Sequence, residues 1–340
     1  MDEKMKRLLI SQPWPSWMVT DFEYYCEILR KRGFEIVMHP KQTSLTEDEL
    51  IDALKGVSVH LCANEAYTEK VFSHPNAGEL RMLSKLGVGL ETLDIPAATR
   101  HGVFIANTPG AGAESVAEFT LTMLLSIARR LPQNERMLRT GKWGRSIGPS
   151  LYRQTLGIVG FGNIGRQVAK LVQGFDMNII AYDPYPNEEA AGKLGVQFVS
   201  FDEIIAQSDF LTLHLPQLPT NIDMMNYEVF SRMKRTAIFV NASRGGMVSE
   251  IDLARALNEG LIAGAALDVF KQEPISMDNP LLQCDNCILT AHNAGTSYGG
   301  RNNLMKACTE NICNVMDGVL PRGAQNPEVF NNRRISLERE

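Results

Sequence analysis

The sequence predicts an α/β protein with two parallel-sheet domains, of which only one holds a dinucleotide. Three observations predict it. A strand, glycine turn, helix, strand and acid follow one another from Thr155 to Asp183. An earlier βαβαβ rhythm runs from residue 7 to 61 without such a turn. The chain's 340 residues are enough for two cores.

In the Thr155–Asp183 stretch a short apolar run (Leu156, Ile158, Val159) enters a turn on Gly160, Gly162 and Gly165. A helical pattern (Ile164, Val168, Leu171, Val172) follows, then a second apolar run that ends on Asp183. Gly160 permits a tight turn, Gly162 has no side chain to obstruct a pyrophosphate, and Gly165 lets the helix lie close on the strands. The free N–H groups at the helix start, around Asn163 and Ile164, would face the phosphates. A glycine pattern alone often marks only a flexible turn; here both flanks fit. Asp183 is placed to accept hydrogen bonds from the adenosine ribose and to repel a 2′-phosphate, and no arginine follows it directly, which favours NAD.

Taken in order, residues 7–11 read as a strand, 21–31 as a helix capped by Thr20 or Asp21, and 34–38 as a strand. A helix over 47–54 and a strand over 57–61 complete the first rhythm. After the first strand, Ser11 to Trp14 offers no glycine fingerprint. Residues 81–85 lead into Gly87, Val88 and Gly89, read either as a plain βα turn or as a substrate loop. A strand at 103–106 precedes a long amphipathic helix over 114–130, whose length suits an interdomain link, and a second helix over 131–140. The loop Lys142 to Arg145 carries Trp143, which fits a subunit interface as well as a binding role.

Beyond Asp183 the pattern gives a helix at 201–207, a strand at 209–214 that breaks at Pro216, a helix at 224–233 and a strand at 236–241. Ser249 and Asp252 suggest a capping box for a helix over 249–258. Strands over 261–267 and 287–290 end at Asp268 and before His292, and a helix over 298–317 runs back toward the first domain. The charged tail, RRISLERE, reads as frayed.

Composition narrows the function classes. A net charge of −5 argues against nucleic acid as a main partner, which would favour a basic face. The opening MDEKMKRLLI is too short in its apolar part for a signal peptide, and no run approaches transmembrane length, so a cytoplasmic protein without a membrane partner is expected. Six cysteines do not imply a disulfide framework at this length. Cys284 and Cys287 form a CxxC, but Cys308 and Cys313 fall in a helix at a spacing that does not share a face, so no metal is expected.

Open parallel sheets bind ligands at the carboxyl ends of their strands. Arg244, Asp268 and His292 each follow such an end, and Glu273 lies in the loop after Asp268. Arg244 offers a planar fork for a carboxylate, with glycines beside it that let a ligand approach. A histidine can give and retake the proton that a carbonyl needs on reduction, and a carboxylate beside it fixes its tautomer. His214, which ends a strand before Pro216, is better placed to line the adenine or pyrophosphate side. His39, His60, His74 and His101 have no comparable setting and read as structural.

Together these motifs resemble the D-isomer-specific 2-hydroxyacid dehydrogenase family, in its phosphoglycerate dehydrogenase-like branch without a regulatory C-terminal domain. The resemblance spans nearly the whole chain through LGIVGFGNIGRQVA with Asp183, HLP at 214–216, VNASRGGMVSE at 240–250, GAALDVFKQEP at 264–274, and His292 with Gly295. It implies two Rossmann-like domains, a nucleotide-binding domain (108–297, with its linking helix) inserted into a flavodoxin-like substrate domain (1–107 and 298–340). It further implies NAD, a small 2-oxo or 2-hydroxy acid substrate, and a homodimer formed through the nucleotide-binding domain. Arg244 would anchor the substrate carboxylate, His292 would be the acid–base, Glu273 would polarise it, and Asp268 would contact the nicotinamide amide. Ala242, Ser243, His214, Pro216 and Gly295 would line the cofactor, with Val88 and Gly89 at the substrate. Three departures stand out. Glu91 and Thr92 replace the usual Asp-Asn after the substrate loop, Leu61 to Glu65 lacks the arginine that phosphoglycerate enzymes use for phosphate, and Asn293 replaces an apolar residue. 3-Phosphoglycerate oxidation is therefore a weakened alternative. A non-enzymatic NAD(H)-sensing protein, like the corepressors sharing this fold, is another.

Overall fold

In the computed structural model, which describes residues 6–11, 19–41 and 43–331, the chain forms two compact units. One comprises Met1–Gly112 with Ser297–Glu340, and the other is the continuous stretch Ala113–Thr296. The N-terminal residues before 6, the turn at 12–14 and the charged tail lie outside the described residues.

The first unit alternates strands and helices in β1 (Lys6–Ile10), α1 (Phe22–Lys31), β2 (Phe34–Met38), α2 (Glu47–Ala53) and β3 (Val57–Cys62). It continues through α3 (Glu69–Ser73), β4 (Met82–Lys85), α4 (Ile95–Arg100) and β5 (Phe104–Ala106). The strands pair in parallel in the order β2-β1-β3-β4-β5, the flavodoxin-like arrangement, whose order reverses between β1 and β3. Register is set by the apolar strands themselves, with Leu8 beside Ile36 and Val59, and Leu83 beside Ile105. Thr46 and Glu49 close a reciprocal cap at the start of α2. Asp21 precedes α1 but makes no side-chain cap; its carboxylate accepts instead from Asn302 Nδ2 at 2.9 Å.

The second unit begins with α5 (Ala113–Ala128) and α6 (Leu131–Arg139), then β6 (Thr155–Val159), α7 (Asn163–Leu171), β7 (Asn178–Tyr182), α8 (Glu188–Leu194) and β8 (Val196–Phe198). It continues with α9 (Phe201–Gln207), β9 (Phe210–Leu213), α10 (Tyr227–Ser231), β10 (Ile238–Asn241), α11 (Glu250–Asn258), β11 (Gly264–Leu267) and β12 (Cys287–Leu289). The parallel order β12-β11-β10-β9-β6-β7-β8 is doubly wound and reverses between β6 and β9. Strands such as IFVN and GAAL are buried along their whole length, as expected where helices cover both faces. Met123, Leu124 and Ile127 of α5 pack into this unit's core beside Leu156, Val168 and Val240.

The chain returns to the first unit as α12 (Tyr298–Met316) and α13 (Pro327–Asn331). Leu304, Met305, Cys308 and Ile312 join the core that Leu8, Val59 and Phe104 line. Helix α12 runs parallel to α1, since Asn302 meets Asp21 at one end and Asp317 pairs with Arg32 at the other.

Three readings of the sequence need correction. The junction lies at 112/113 rather than 107/108, because Asn107 and Thr108 bond back to the first unit through Gly323, Asn311, Val88 and Gly87. The apolar stretch 224–233 is helical only over Tyr227–Ser231. Asn226 caps that helix on Val229 N–H, and the Met225 N–H donates to Met247 O, which holds the preceding residues extended. The Ser249/Asp252 box does not form: Ser249 N–H already donates to Met225 O, so no reciprocal bond from residue 252 is open to it. The short elements α8, β8 and α13 went unread.

Candidate active site

The site is assembled on the second unit's strand ends. Beyond β6, Gly160 takes φ +99, and its N–H donates to Tyr182 O at 2.8 Å. A Cβ there would lie 2.6 Å from the His214 carbonyl carbon. Gly162 heads α7 with no side-chain cap, and a Cβ on it would meet nothing within 4 Å. A Cβ on Gly165 would lie 2.2 Å from Gly160 O, so the helix can approach the strand only as glycine. Asn163 and Ile164 open α7, with Asn163 Oδ1 accepting from Arg166 Nη2 at 3.0 Å.

Asp183 follows β7. Its carboxylate accepts from Phe161 N–H (2.7 Å) and Tyr185 N–H (2.9 Å), which ties the acid to the glycine turn. His214 follows β9 and faces the same turn through its N–H to Val159 O at 2.7 Å. Both its ring nitrogens are buried and have no hydrogen-bond partner among the described residues, and burial pushes its pKa down to about 3. Orphaned buried nitrogens are costly unless something pairs with them. An open glycine, uncapped helix N–H groups, a carboxylate and an orphaned imidazole at the sheet's switch point fit a dinucleotide. Pro216, two residues on, is exposed.

Beyond β10, Ala242 and Ser243 are buried, and Ser243 bonds Asn241 Oδ1 through both its N–H and its hydroxyl. Asn241 Nδ2 donates to Arg244 O at 3.0 Å, so this asparagine shapes the loop that carries the arginine. Arg244 is half-buried, with Nη1 donating to Ser243 O at 2.8 Å. The glycines after it do not make room for a ligand. A Cβ on Gly245 would lie 2.0 Å from the Phe270 carbonyl carbon, and one on Gly246 would lie 2.4 Å from Gln217 Oε1. They bring the arginine loop against the loop that carries Glu273.

Asp268 is fully buried after β11. It accepts from Thr290 Oγ1 (2.5 Å), Asn293 N–H (2.8 Å) and Ala294 N–H (2.7 Å), while its carbonyl accepts from His292 N–H at 2.8 Å. These bonds hold His292 at φ +51, a left-handed conformation that surrounding bonds must enforce. The His292 ring then meets Glu273, with Nδ1 to Oε2 at 2.7 Å, and Glu273 Oε1 accepts from Phe270 N–H at 2.9 Å. A carboxylate only accepts, so the proton sits on Nδ1 and Nε2 is left for other work. The bond to Glu273 raises the His292 pKa, against an opposing effect of burial. For Glu273, burial pushes upward, but the bonds from His292 and Phe270 prevail and its pKa is lowered. The charge of Arg244 acts on both, which places the three groups together.

Gly295 has open space where a Cβ would sit. Val88 and Gly89 belong to the first unit, in the loop after β4, where Val88 is exposed and its carbonyl accepts from Asn107 Nδ2. Asn241 and Thr290 were not singled out from the sequence. Their signal was position alone, at a strand's last residue and two before the histidine. Among the described residues no group of His, Cys, Asp and Glu is placed to hold a metal, the described cysteines are free, and no helix is long and apolar enough to cross a membrane.

Fold and site together define a dinucleotide-binding α/β protein with an imidazole–carboxylate pair beside its cofactor crevice. Residues 121–294 match the NAD-binding domain of D-isomer specific 2-hydroxyacid dehydrogenases. The chain is 40% identical over 263 residues to a glyoxylate reductase of Korarchaeum cryptofilum, covering 76% of this chain and 79% of that one. It is 35% identical over 302 residues to a D-3-phosphoglycerate dehydrogenase of Archaeoglobus fulgidus, covering 88% of this chain but 56% of that one. The chain thus spans about half the length of that relative. Among solved structures, TT0316 protein from Thermus thermophilus superposes with a TM-score of 0.83 at 30% identity, covering 94% of this chain and 99% of that one. The chain belongs to the D-isomer specific 2-hydroxyacid dehydrogenase family, and NAD is the cofactor its second unit is built for.

Proposed function

We propose that the protein interconverts a 2-oxo acid and a D-2-hydroxy acid with NAD. The observation that carries this is the 2.7 Å bond between His292 Nδ1 and Glu273, formed within range of Arg244's charge. Bound NADH supplies the hydride and NAD accepts it in reverse. Arg244 grips the substrate carboxylate with its fork. In reduction, His292 gives the proton on Nε2 to the carbonyl oxygen, and Glu273 stabilises the imidazolium before that transfer; in oxidation His292 takes the proton back. Asp268 holds the histidine loop and faces the nicotinamide amide. Gly160, Gly162, Asn163, Ile164, Asp183, His214, Pro216, Ala242, Ser243 and Gly295 line the cofactor, and Val88 and Gly89 line the substrate. Asp183 turns away a 2′-phosphate and sets NAD above NADP.

Cys62, where a phosphate-binding arginine would serve a 3-phosphoglycerate dehydrogenase, supports an unphosphorylated substrate. A cytoplasmic homodimer completes the reading. In the second unit Trp143 is 93% and Ile147 88% exposed, with Leu131 and Leu138 also exposed, an apolar surface suited to a second copy. Trp143→Glu should convert the dimer to monomer on size-exclusion chromatography with light scattering; an unchanged mass refutes that interface.

The test is a panel of glyoxylate, pyruvate, hydroxypyruvate, 2-oxoglutarate and branched 2-oxo acids with NADH and NADPH side by side. Turnover with at least one acid and NADH is expected. His292→Ala should cut kcat by roughly 10²–10⁴-fold while leaving NADH binding intact. No turnover across the panel, with tight NADH binding, would leave the NAD(H)-sensing reading instead.

A further inference from the structure

A second set of buried polar groups lies in the first unit, at the carboxyl ends of β1 and β3, where the sheet's strand order reverses. Ser11, His60, Glu65 and Tyr67 are each at most 1% exposed. Ser11 Oγ lies 2.5 Å from His60 Nε2 and 2.8 Å from Glu65 Oε1, and His60 Nδ1 meets the Tyr67 hydroxyl. Burial holds the His60 pKa down at about 3, so the ring is neutral and has one donor and one acceptor. With Glu65 ionised, the directions follow. The Tyr67 hydroxyl donates to His60, His60 Nε2–H to Ser11, and Ser11 to Glu65. The remaining carboxylate oxygen accepts from Ala63 N–H at 2.8 Å.

The other side of Ala63 is held by an opposite charge. Lys85, 4% exposed at the end of β4, donates through Nζ to Ala63 O and, at 3.4 Å, to Leu86 O. One residue of the turn after β3 is thus clamped between a buried carboxylate and a buried ammonium. The turn alternates, with Ala63, Glu65 and Tyr67 buried and Asn64 and Ala66 exposed. What it offers outward is an amide and a methyl, over a charge pair that sums to zero. Ligands of open parallel sheets bind at such a switch point.

On the 2-oxo acid reading above, we propose that Glu65 is a specificity-determining residue: by cancelling the charge of Lys85 it makes the turn after β3 select substrates whose C3 substituent is uncharged over those carrying a phosphate there. Glu65 acts without touching the substrate, through the field at the turn and through the shape it imposes on Ala63.

The test variant is Glu65→Gln, which the chain can absorb. Gln accepts from Ala63 N–H and donates to Ser11, and the Ser11, His60 and Tyr67 bonds then run in reverse through the other imidazole tautomer. Lys85 is left without its counter-charge. Hydroxypyruvate and its 3-phosphate are compared as substrates with NADH, and thermal shifts of the NAD-bound protein are recorded with D-glycerate and D-3-phosphoglycerate. Wild type should favour the unphosphorylated member in both measurements. Glu65→Gln should raise the relative kcat/KM for the phosphorylated acid about tenfold, chiefly through KM, the scale of one uncompensated charge in a partly screened site. Tyr67→Phe, which removes a hydrogen bond and no charge, should leave the ratio where it was. An unchanged ratio in a folded, NADH-binding Glu65→Gln protein overturns the inference, as does an equal change in Tyr67→Phe, which would make shape rather than charge the selector. If the thermal shifts follow the predicted pattern without turnover, the inference stands and the enzymatic reading falls; if neither acid binds or reacts, both fall.

Discussion

Two glycines three residues apart in one turn should respond to alanine in opposite ways. At Gly165 the new methyl carbon would stand 2.2 Å from Gly160 O, whereas ordinary contact begins at 3.4 Å, a shortfall of 3.4 − 2.2 = 1.2 Å. The opposing atom is backbone, so α7 and the turn must separate by about that distance. Overpacking of this kind costs roughly 1–3 kcal/mol, against about 1 kcal/mol returned by alanine's helix propensity. A net loss of about 1–2 kcal/mol in a unit of this size lowers Tm by roughly 2–8 °C. The displaced turn should also lose at least one charge-assisted hydrogen bond to the cofactor, worth about 1.5–3 kcal/mol, so Kd for NADH rises about 10- to 150-fold. At Gly162 a Cβ meets nothing within 4 Å and φ is −76, so Gly162→Ala should melt within about 2 °C of wild type. Its methyl instead occupies the space the pyrophosphate needs, and NADH binding falls all the same. Thermal melts and NADH fluorescence titrations of the two variants decide it. If Gly165→Ala melts and binds like wild type, or if Gly162→Ala is the destabilised one, the account of this turn is wrong.

Two further outcomes concern the catalytic loops. Reduction needs a protonated His292, whose pKa is raised chiefly by Glu273, so kcat/KM should be full at low pH and decline as pH rises through that raised value. Glu273→Gln removes the cause, and the declining limb of the pH profile should move to lower pH; a limb that stays in place would show that Glu273 does not set it. Asp268→Asn turns an amide N–H₂ toward groups that all donate, namely Thr290 Oγ1, Asn293 N–H and Ala294 N–H. One buried donor is left unmet, at a cost of about 1–3 kcal/mol, and both Tm and kcat should fall. A variant with normal melting but impaired kcat would separate the aspartate's chemical contribution from its structural one.

The parts of this molecule legible in its sequence are those whose partners lie close along the chain. Gly160, Gly162, Gly165 and Asp183 fall within one βαβ unit, where spacing alone fixes which group meets which. The catalytic residues were legible differently, because each follows a strand, and a parallel sheet brings strand ends together. What escaped depended on contacts that spacing does not encode. His60 looked inert, yet its partner Ser11 stands 49 residues away and is joined to it only by the pairing of β1 with β3. The glycines beside Arg244 suggested room for a ligand, whereas Phe270 and Gln217 of the same unit fill it. Ser249 had the residues of a capping box, but Met225 had already taken its N–H.

The interrupted course of the first unit has a consequence for how the protein is made. Leu304, Met305, Cys308 and Ile312 close a core whose other wall, Leu8, Val59 and Phe104, leaves the ribosome far earlier. Between them the whole of Ala113–Thr296 must be synthesised, and it is a continuous unit able to complete its own sheet. At about 5–20 residues per second, the earlier wall waits roughly 10–40 s for its cover. During that interval the nascent chain carries a finished cofactor-binding unit and an open-sided one, with the apolar face of the latter awaiting α12. Birth order thus reverses sequence order: the part read second is the part folded first.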